Sequence, residues 1–328
     1  MRHNQANQWW FPYPEYRFSY FREDGFLSQE YSSSPLGDHA EAARSPRGDE
    51  CTSSDIILGI KCRDSRIGGK LYMSTFKIAF KTSFVYRSSA LFRVIGSVFR
   101  IFVSIALWKY VYQKDSSLVS YMIVYTILSN LIGMFYSNQL SNEISSKVSD
   151  GTFCMELIKP VNFIYLGYQK MLGEIFANLL TRGLPVILIF LPLLITRLDS
   201  IHIDQLLFFC IAVVFGHVLY TIMYALIGFI AFICYEIWPF NRLLSDTIRF
   251  LSGSFIPIAL FPTHLKALID YLPFKYLYSF PLRLCLETVP QIDIYKDIAI
   301  LFVWIIVLFS ILVFAYNHAV NKLVVQGG

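Results

Sequence analysis

Six ionisable side chains fall inside apolar runs of this chain: Arg100, Glu174, Arg182, His217, Asp246 and Arg249. A charge at the centre of a bilayer costs about 2.5–3.5 kcal/mol on insertion scales, so such groups face protein or water. Asp246 and Arg249 stand three apart, the spacing that pairs side chains on one helix face. Glu174 and Arg182 stand eight apart and share a face of one predicted span. Arg100 sits alone inside another. Two chemistries suit the set: a polar lining of a path between two subunits, or structural ion pairing at a subunit interface. His217 fits a hydrogen bond between helices, with a proton relay as the alternative reading.

Motifs for bond-making chemistry do not occur. Gly68-Gly69-Lys70-Leu71 lacks the glycine spacing and the hydroxyl of a phosphate-binding loop, so the chain has no visible means of hydrolysing a nucleotide. Neither H-E-x-x-H nor G-x-S-x-G is present. Cys51, Cys62, Cys154, Cys210, Cys234 and Cys285 form no C-x-x-C pair and no metal spacing. Several lie in apolar runs, where cysteine packs as a small hydrophobe. No metal and no cofactor is expected in this chain.

The elements that must position those charges are membrane helices. Residues 206–235 run without a formal charge, and about 20 apolar residues suffice to cross a hydrocarbon core. With 55% hydrophobic and 16% charged residues and a mean hydropathy of +0.50, the chain lies well to the apolar side of soluble domains. Residues 73–328 carry 19 Lys and Arg against 13 Asp and Glu, a balance suited to positive loops on the cytoplasmic side. The cations are scattered singly, which argues against nucleic acid.

Residues 1–72 differ from the rest. Aromatics such as Trp9, Trp10 and Phe11 mix with Ser-, Gly- and charge-rich stretches, and no helical or strand periodicity persists. They are expected to be a disordered or non-native extension, with a transmembrane domain over 73–328. Residues 74–93 set Phe76, Phe80 and Phe84 against Lys77, Lys81 and Arg87, the pattern of an amphipathic helix lying on the membrane surface. Spans are predicted near 91–112, 118–137, 173–195 (broken by Pro185 and Pro192), 205–231, 243–260 and 297–317. The fifth is irregular: 250–262 is short and holds Gly253, Pro257 and Pro262, so it reads as bent or re-entrant. The expected fold is therefore an all-α integral membrane protein of six transmembrane helices. An interfacial helix precedes them, and both ends lie on one side.

The segment between the second and third spans carries a resemblance. Ser141-Asn142-Glu143-Ile144 leads through Asp150-Gly151-Thr152-Phe153 to Glu156-Leu157-Ile158-Lys159-Pro160-Val161. This resembles the E…G-T-x-x-x-L-x-x-P loop of type-two ABC exporter permeases. Further on, Phe250-Leu251-Ser252-Gly253-Ser254-Phe255-Ile256-Pro257, Leu260-Phe261-Pro262 and Leu272-Pro273-Phe274 resemble the bent fifth helix and exterior hairpin of the same superfamily. The short amphipathic entry and the Val325-Gln326-Gly327-Gly328 tail are similar to a bacterial branch of six-span permeases.

The resemblance covers about 73–328 and implies a half-transporter in the bacterial plasma (inner) membrane, with both termini cytoplasmic. Its implied partners are a second permease copy or paralogue, membrane lipid and two cytoplasmic ABC ATPase subunits that bind ATP and Mg. It implies a coupling helix over 143–157, with Glu143 and Lys147 as rim charges and Ile144, Phe153 and Leu157 as apolar contacts. Gly151 and Thr152 would form its turn and Pro160 would end it. Arg100, Glu174, Arg182, Asp246 and Arg249 would line the pathway or interface. Gly253, Pro257, Pro262 and Pro273 would shape the bent exterior segment. Dense aromatics around Tyr220, Tyr224, Phe229 and Phe232 suit an amphipathic or lipid-like cargo. Other readings are a stand-alone channel or an ion-coupled carrier, and a membrane scaffold. A carrier would show paired broken helices in an internal repeat, whereas one broken segment is visible here.

Overall fold

In lipid every backbone N–H and C=O needs an internal partner, and a helix supplies one within a single segment. The computed structural model of this chain describes residues 65–85, 87–159, 161–198, 203–234, 236–287 and 289–321. The chain divides into two units, 1–50 and 51–328, and all described residues belong to the second. Residues 1–64, Pro160 and the tail from 322 lie outside the described residues, and with them most of the expected extension.

All regular elements described are helical. They are α1 (Ser65–Thr82), α2 (Arg87–Val111), α3 (Ser116–Ile132), α4 (Gln139–Ser149), α5 (Phe153–Ile158), α6 (Phe163–Asn178) and α7 (Leu184–Leu198). There follow α8 (Ile203–Phe229), α9 (Trp238–Leu251), α10 (Thr263–Asp270), α11 (Ser279–Leu286) and α12 (Gln291–Asn321). Among the described residues five helical stretches are long and apolar enough to cross a membrane: 88–111, 116–149, 163–194, 205–232 and 291–320. The expected fifth span, 243–260, is not one of them. It divides into α9 and a turn at Gly253, whose φ of +78° belongs to the left-handed region. The other breakers stand at element boundaries, where a missing N–H costs least. Pro257 precedes the turn Ile258–Leu260, Pro262 precedes α10, and Pro273 opens the turn Pro273–Tyr276.

The centre of the bundle is α8, with α4, α11 and α12 packed along it. Half of its apolar window is buried, against 11% for α12, which presents Ile306 and Phe314 outward. Small residues permit the closest approaches, as membrane helix packing requires. A Cβ at Gly228 would meet Ile144 Cβ of α4 at 3.0 Å, and one at Gly216 would meet the Tyr276 carbonyl at 3.1 Å. Asp115 caps α3 by accepting the Ser117 and Leu118 N–H groups at 3.0 and 3.1 Å.

Two expectations change here. The amphipathic helix does not continue to residue 93: α1 begins at Ser65, ends at Thr82, and a turn precedes α2. Its aromatic stripe also touches protein. Phe76 meets Phe176 of α6, while Lys77 and Lys81 remain exposed. The third span is not broken at its prolines. It runs from Phe163 to Leu198, and the accommodation is a π-helical turn, Leu179–Gly183, just before Pro185. A proline ring clashes with the carbonyl four residues earlier, and the wider π turn relieves that crowding.

A Cβ at Gly173 would stand 2.5 Å from the Phe76 carbonyl oxygen on α1, whereas one at Gly96 meets nothing within 4 Å. Gly173→Ala should therefore destabilise the chain by about 1–3 kcal/mol through overpacking. Gly96→Ala should be neutral or add up to ~1 kcal/mol of helix propensity. Apparent melting temperatures in detergent should move down for the first variant and stay or rise for the second.

Candidate functional site

The break after α9 leaves backbone groups that α3 and α11 satisfy. The Tyr125 hydroxyl donates to the Gly253 carbonyl, and Ser129 Oγ donates to the Ser254 carbonyl at 2.5 Å. Ser279 N–H donates to the Ser252 carbonyl at 3.0 Å. Buried carbonyls left without a donor would be costly, so these bonds fix the turn against α3. A Cβ at Gly253 would meet Ile258, Ser279 and Tyr125 within 3.2 Å, which reinforces the demand for glycine.

Beside this turn lies a cavity of about 630 Å³. Arg100 from α2, Arg182 from the π turn and Arg249 from α9 all line it. Its remaining polar wall comes from Ser104, Thr126, Ser129 and Asn130, and from the hydroxyls of Tyr136, Tyr220, Tyr224 and Tyr278. Tyr220 stacks between Tyr136 and Tyr224 with ring centroids 4.6 and 4.5 Å away. None of the lining residues is acidic. Three residues widely separated in sequence and predicted for a pathway or interface are thus brought together.

The other two candidates stand apart. Asp246 accepts from Arg242 Nε at 2.8 Å and lies 3.7 Å from Arg249 Nη1, so the predicted pair with Arg249 forms, but loosely, with Arg242 in competition. Glu174 does not pair with Arg182: it accepts from Gln139 Nε2 at 2.7 Å, tying α6 to α4. The intervening π turn changes the angular register on which the same-face expectation depended. His217 is buried, with Nδ1 2.8 Å from the Phe135 carbonyl, the interhelical hydrogen bond among the two readings.

Residues 139–158 form two helices rather than the single one expected over 143–157. Between them Gly151 adopts φ +67°, with its N–H bonded to the Val148 carbonyl at 3.1 Å. Nothing lies within 4 Å of a Cβ there, so the demand for glycine is purely conformational. Thr152 precedes α5 and its Oγ1 reaches the Lys147 carbonyl at 3.5 Å. Ile144 and Phe153, expected to offer apolar contact to a partner, are instead internal. Ile144 is fully buried against α8, and Phe153 packs on Phe163 and Phe232. Leu157 is half-buried against the same cluster. Nor is Glu143 a free rim charge, because it faces Lys170 of α6 at 3.6 Å. Exposed on this hairpin are Asn142 and, toward its tip, Ser146, Ser149, Asp150, Gly151 and Met155.

Glu156 holds the hairpin closed. Its buried carboxylate accepts from Lys159 Nζ at 2.7 Å and pairs with Lys147 Nζ of α4 at 3.0 Å. Burial pushes this carboxyl up, but the hydrogen bonds and charges of Lys159 and Lys147 together outweigh it, leaving the group below the ordinary glutamate range. Sequence reasoning noted Glu156 only as part of a motif; a lysine at each side, nine residues before and three after, was the available signal.

A second missed residue joins the hairpin to the cavity. Asn241, buried near the start of α9, accepts from Ser141 Oγ at 2.9 Å and donates through Nδ2 to Asn142 Oδ1 at 3.0 Å. Eight residues further along the same helix stands Arg249, about 12 Å away at helical rise. No local pattern in the sequence announces a contact a hundred residues distant.

Five membrane-length helices among the described residues, around a charged cavity whose wall joins a polar helical hairpin, define a multi-pass membrane protein. The chain belongs to the ABC-2 family transporter proteins, whose sequence model matches residues 98–327. It is thus the membrane component of an ABC-type transporter, and membership implies association with an ABC ATPase component. No curated protein matches it.

A carboxylate held below its unfolded value, about 4.3 for glutamate, contributes stability above that pH and loses it as pH falls through the lowered folded value. Closure of the α4–α5 hairpin should therefore persist at neutral pH and fail under acid conditions. Glu156→Gln should weaken it by about 1 kcal/mol at neutral pH, since the lysines are partly solvated. Protease cleavage near Gly151, followed against pH, should rise on acidification in the parent and be high and pH-independent in the variant.

Proposed function

We propose that this chain is the permease subunit of an ATP-driven exporter in the bacterial plasma (inner) membrane, with both ends cytoplasmic. It works with a second permease copy or paralogue and with two cytoplasmic ATPase subunits that bind ATP and Mg. In this reading α9 and the turn that follows make the bent fifth crossing. The α4–α5 hairpin is the coupling element, and its exposed tip around Ser146, Asp150 and Met155 docks on the ATPase. An apolar contact with charged neighbours suits such a docking surface.

The observation that carries the reading is the hydrogen-bonded link from Ser141 and Asn142 to the buried Asn241. A displacement of α4 by ATPase closure pulls on α9 through these bonds, and α9 carries Arg249 at the cavity wall. Packed helices with two discrete arrangements transmit such shifts as rigid bodies. The α4–α8 contact at Ile144 and Gly228 gives the same movement a second, purely steric route into the bundle. An amphipathic cargo fits a cavity whose polar wall ends at Phe255 and at outward-facing apolar helices.

Asn241→Leu keeps the branched outline of the side chain while removing both hydrogen bonds. In the complex purified with its ATPase subunit, a cysteine placed at Ser254 in a background without native cysteines reports opening of the cavity. ATP with vanadate should change maleimide labelling at that position in the parent. With Asn241→Leu, ATP turnover should stay within about twofold while the labelling change is lost. Absence of any co-purifying ATPase, or an unaltered labelling response, would contradict the reading.

A further inference from the structure

The arginine cavity carries more than a path for cargo. Among the described residues no carboxylate pairs with Arg100 or Arg182, and Arg249 shares Asp246 with Arg242. Arg182 Nε is buried and has no hydrogen-bond partner. The π turn that presents Arg182 is a costlier backbone than a regular helix, of the kind that recurs at functional sites. Beside the three guanidinium groups stands the Tyr278 hydroxyl, able to donate, while the hydroxyls of Thr126, Ser129 and Tyr136 donate to the Met122, Ser254 and Leu277 carbonyls. A volume of about 630 Å³ lies within the ~300–1,000 Å³ range of small-molecule sites.

An unpaired cation at membrane depth calls for an anion. Guanidinium groups meet phosphate or carboxylate oxygens through paired N–H donors, and three of them around one cavity suit a group with several charged oxygens. We propose that this cavity binds a phosphate-type oxyanion, either free or as the headgroup of an amphipathic molecule. The proposal deepens the permease reading and rests on it for the direction of transport. Arg100 and Arg182 hold the oxyanion and the Tyr278 hydroxyl donates to it from the cavity wall. Arg249, on the helix joined to the α4–α5 hairpin, is the group whose grip changes when that hairpin moves.

The test uses the full chain in maltoside micelles, titrated calorimetrically with inorganic pyrophosphate, with dihexanoyl phosphatidic acid, and with dihexanoyl phosphatidylcholine. Binding of pyrophosphate, of phosphatidic acid or of both supports the site, and the pattern tells a free anion from a lipid headgroup. Arg182→Gln and Arg100→Gln should each weaken that binding about tenfold or more. Arg182→Lys should restore only part of it, because lysine lacks the planar pair of donors. Arg242→Gln, which removes an equal charge outside the cavity, should bind as the parent does.

Gly133→Ala provides a variant with every arginine intact. Its Cβ would stand 3.0 Å from Tyr278 Oη at the cavity wall, so it too should weaken binding. Failure of the parent to bind either phosphate compound would overturn the proposal, as would equal losses in Arg242→Gln and Arg182→Gln. Tighter binding of phosphatidylcholine than of phosphatidic acid would do the same. Co-purification of the ATPase subunit and its turnover, followed in the same variants, report on the permease reading separately. Retained turnover with no oxyanion binding rejects only the site, and binding without any ATPase rejects only the permease role.

Discussion

Lipid tolerates a guanidinium group only where protein, water or an anion surrounds it, and three such groups govern the architecture of this chain. Arg100 and Arg182 lie within membrane-length helices, and Arg249 lies near the end of α9. Each needs polar neighbours, which α3 supplies with Thr126, Ser129 and Asn130 on one side of an otherwise apolar helix. The same side satisfies the broken backbone at Gly253 and Ser254. One hydroxyl-bearing face of α3 thus serves two demands at once: it solvates the cavity and replaces the hydrogen bonds that α9 forgoes by ending early.

The hairpin end of the molecule is built by the opposite economy. Ile144 and Phe153 are spent on internal packing, so α4 and α5 are anchored in the bundle rather than free to swing. Their closure depends on Glu156 with its two lysines, and their connection to α9 depends on Asn241. Buried polar contacts of this kind specify one arrangement of neighbouring helices, since any other leaves donors unpaired.

Much of this was legible in the sequence, and the reasons are specific. Helices of 25 to 31 residues declare themselves through uninterrupted hydropathy, as α2, α8 and α12 do. Local turn chemistry marks Gly151 and Gly253, and both have positive φ. Arg100, Arg182 and Arg249 stand out because a charge in an apolar run must face protein or water, whether as a polar lining or as an interfacial ion pair. What stayed hidden depends on register or distance. The π turn shifted Arg182 relative to Glu174, and no propensity scale marks a π turn before proline. Ile144 and Phe153 have the composition of a docking face, and only the position of Gly228 opposite Ile144 turns them inward. The link through Asn241 joins residues a hundred positions apart and leaves no local trace.

In the proposed exporter α4 and α9 move as one body when the ATPase closes, carrying Arg249 relative to Arg100. Spin labels at Asp150 and Phe250, and in a second preparation at Phe99 and Phe250, would measure it by pulsed electron resonance on the assembled complex. All three positions are exposed. On trapping with ATP and vanadate, the 150–250 distance distribution should stay unchanged while the 99–250 distribution shifts. A shifted 150–250 distribution beside a constant 99–250 distribution would contradict the claim, placing the movement within the hairpin and leaving the cavity wall still.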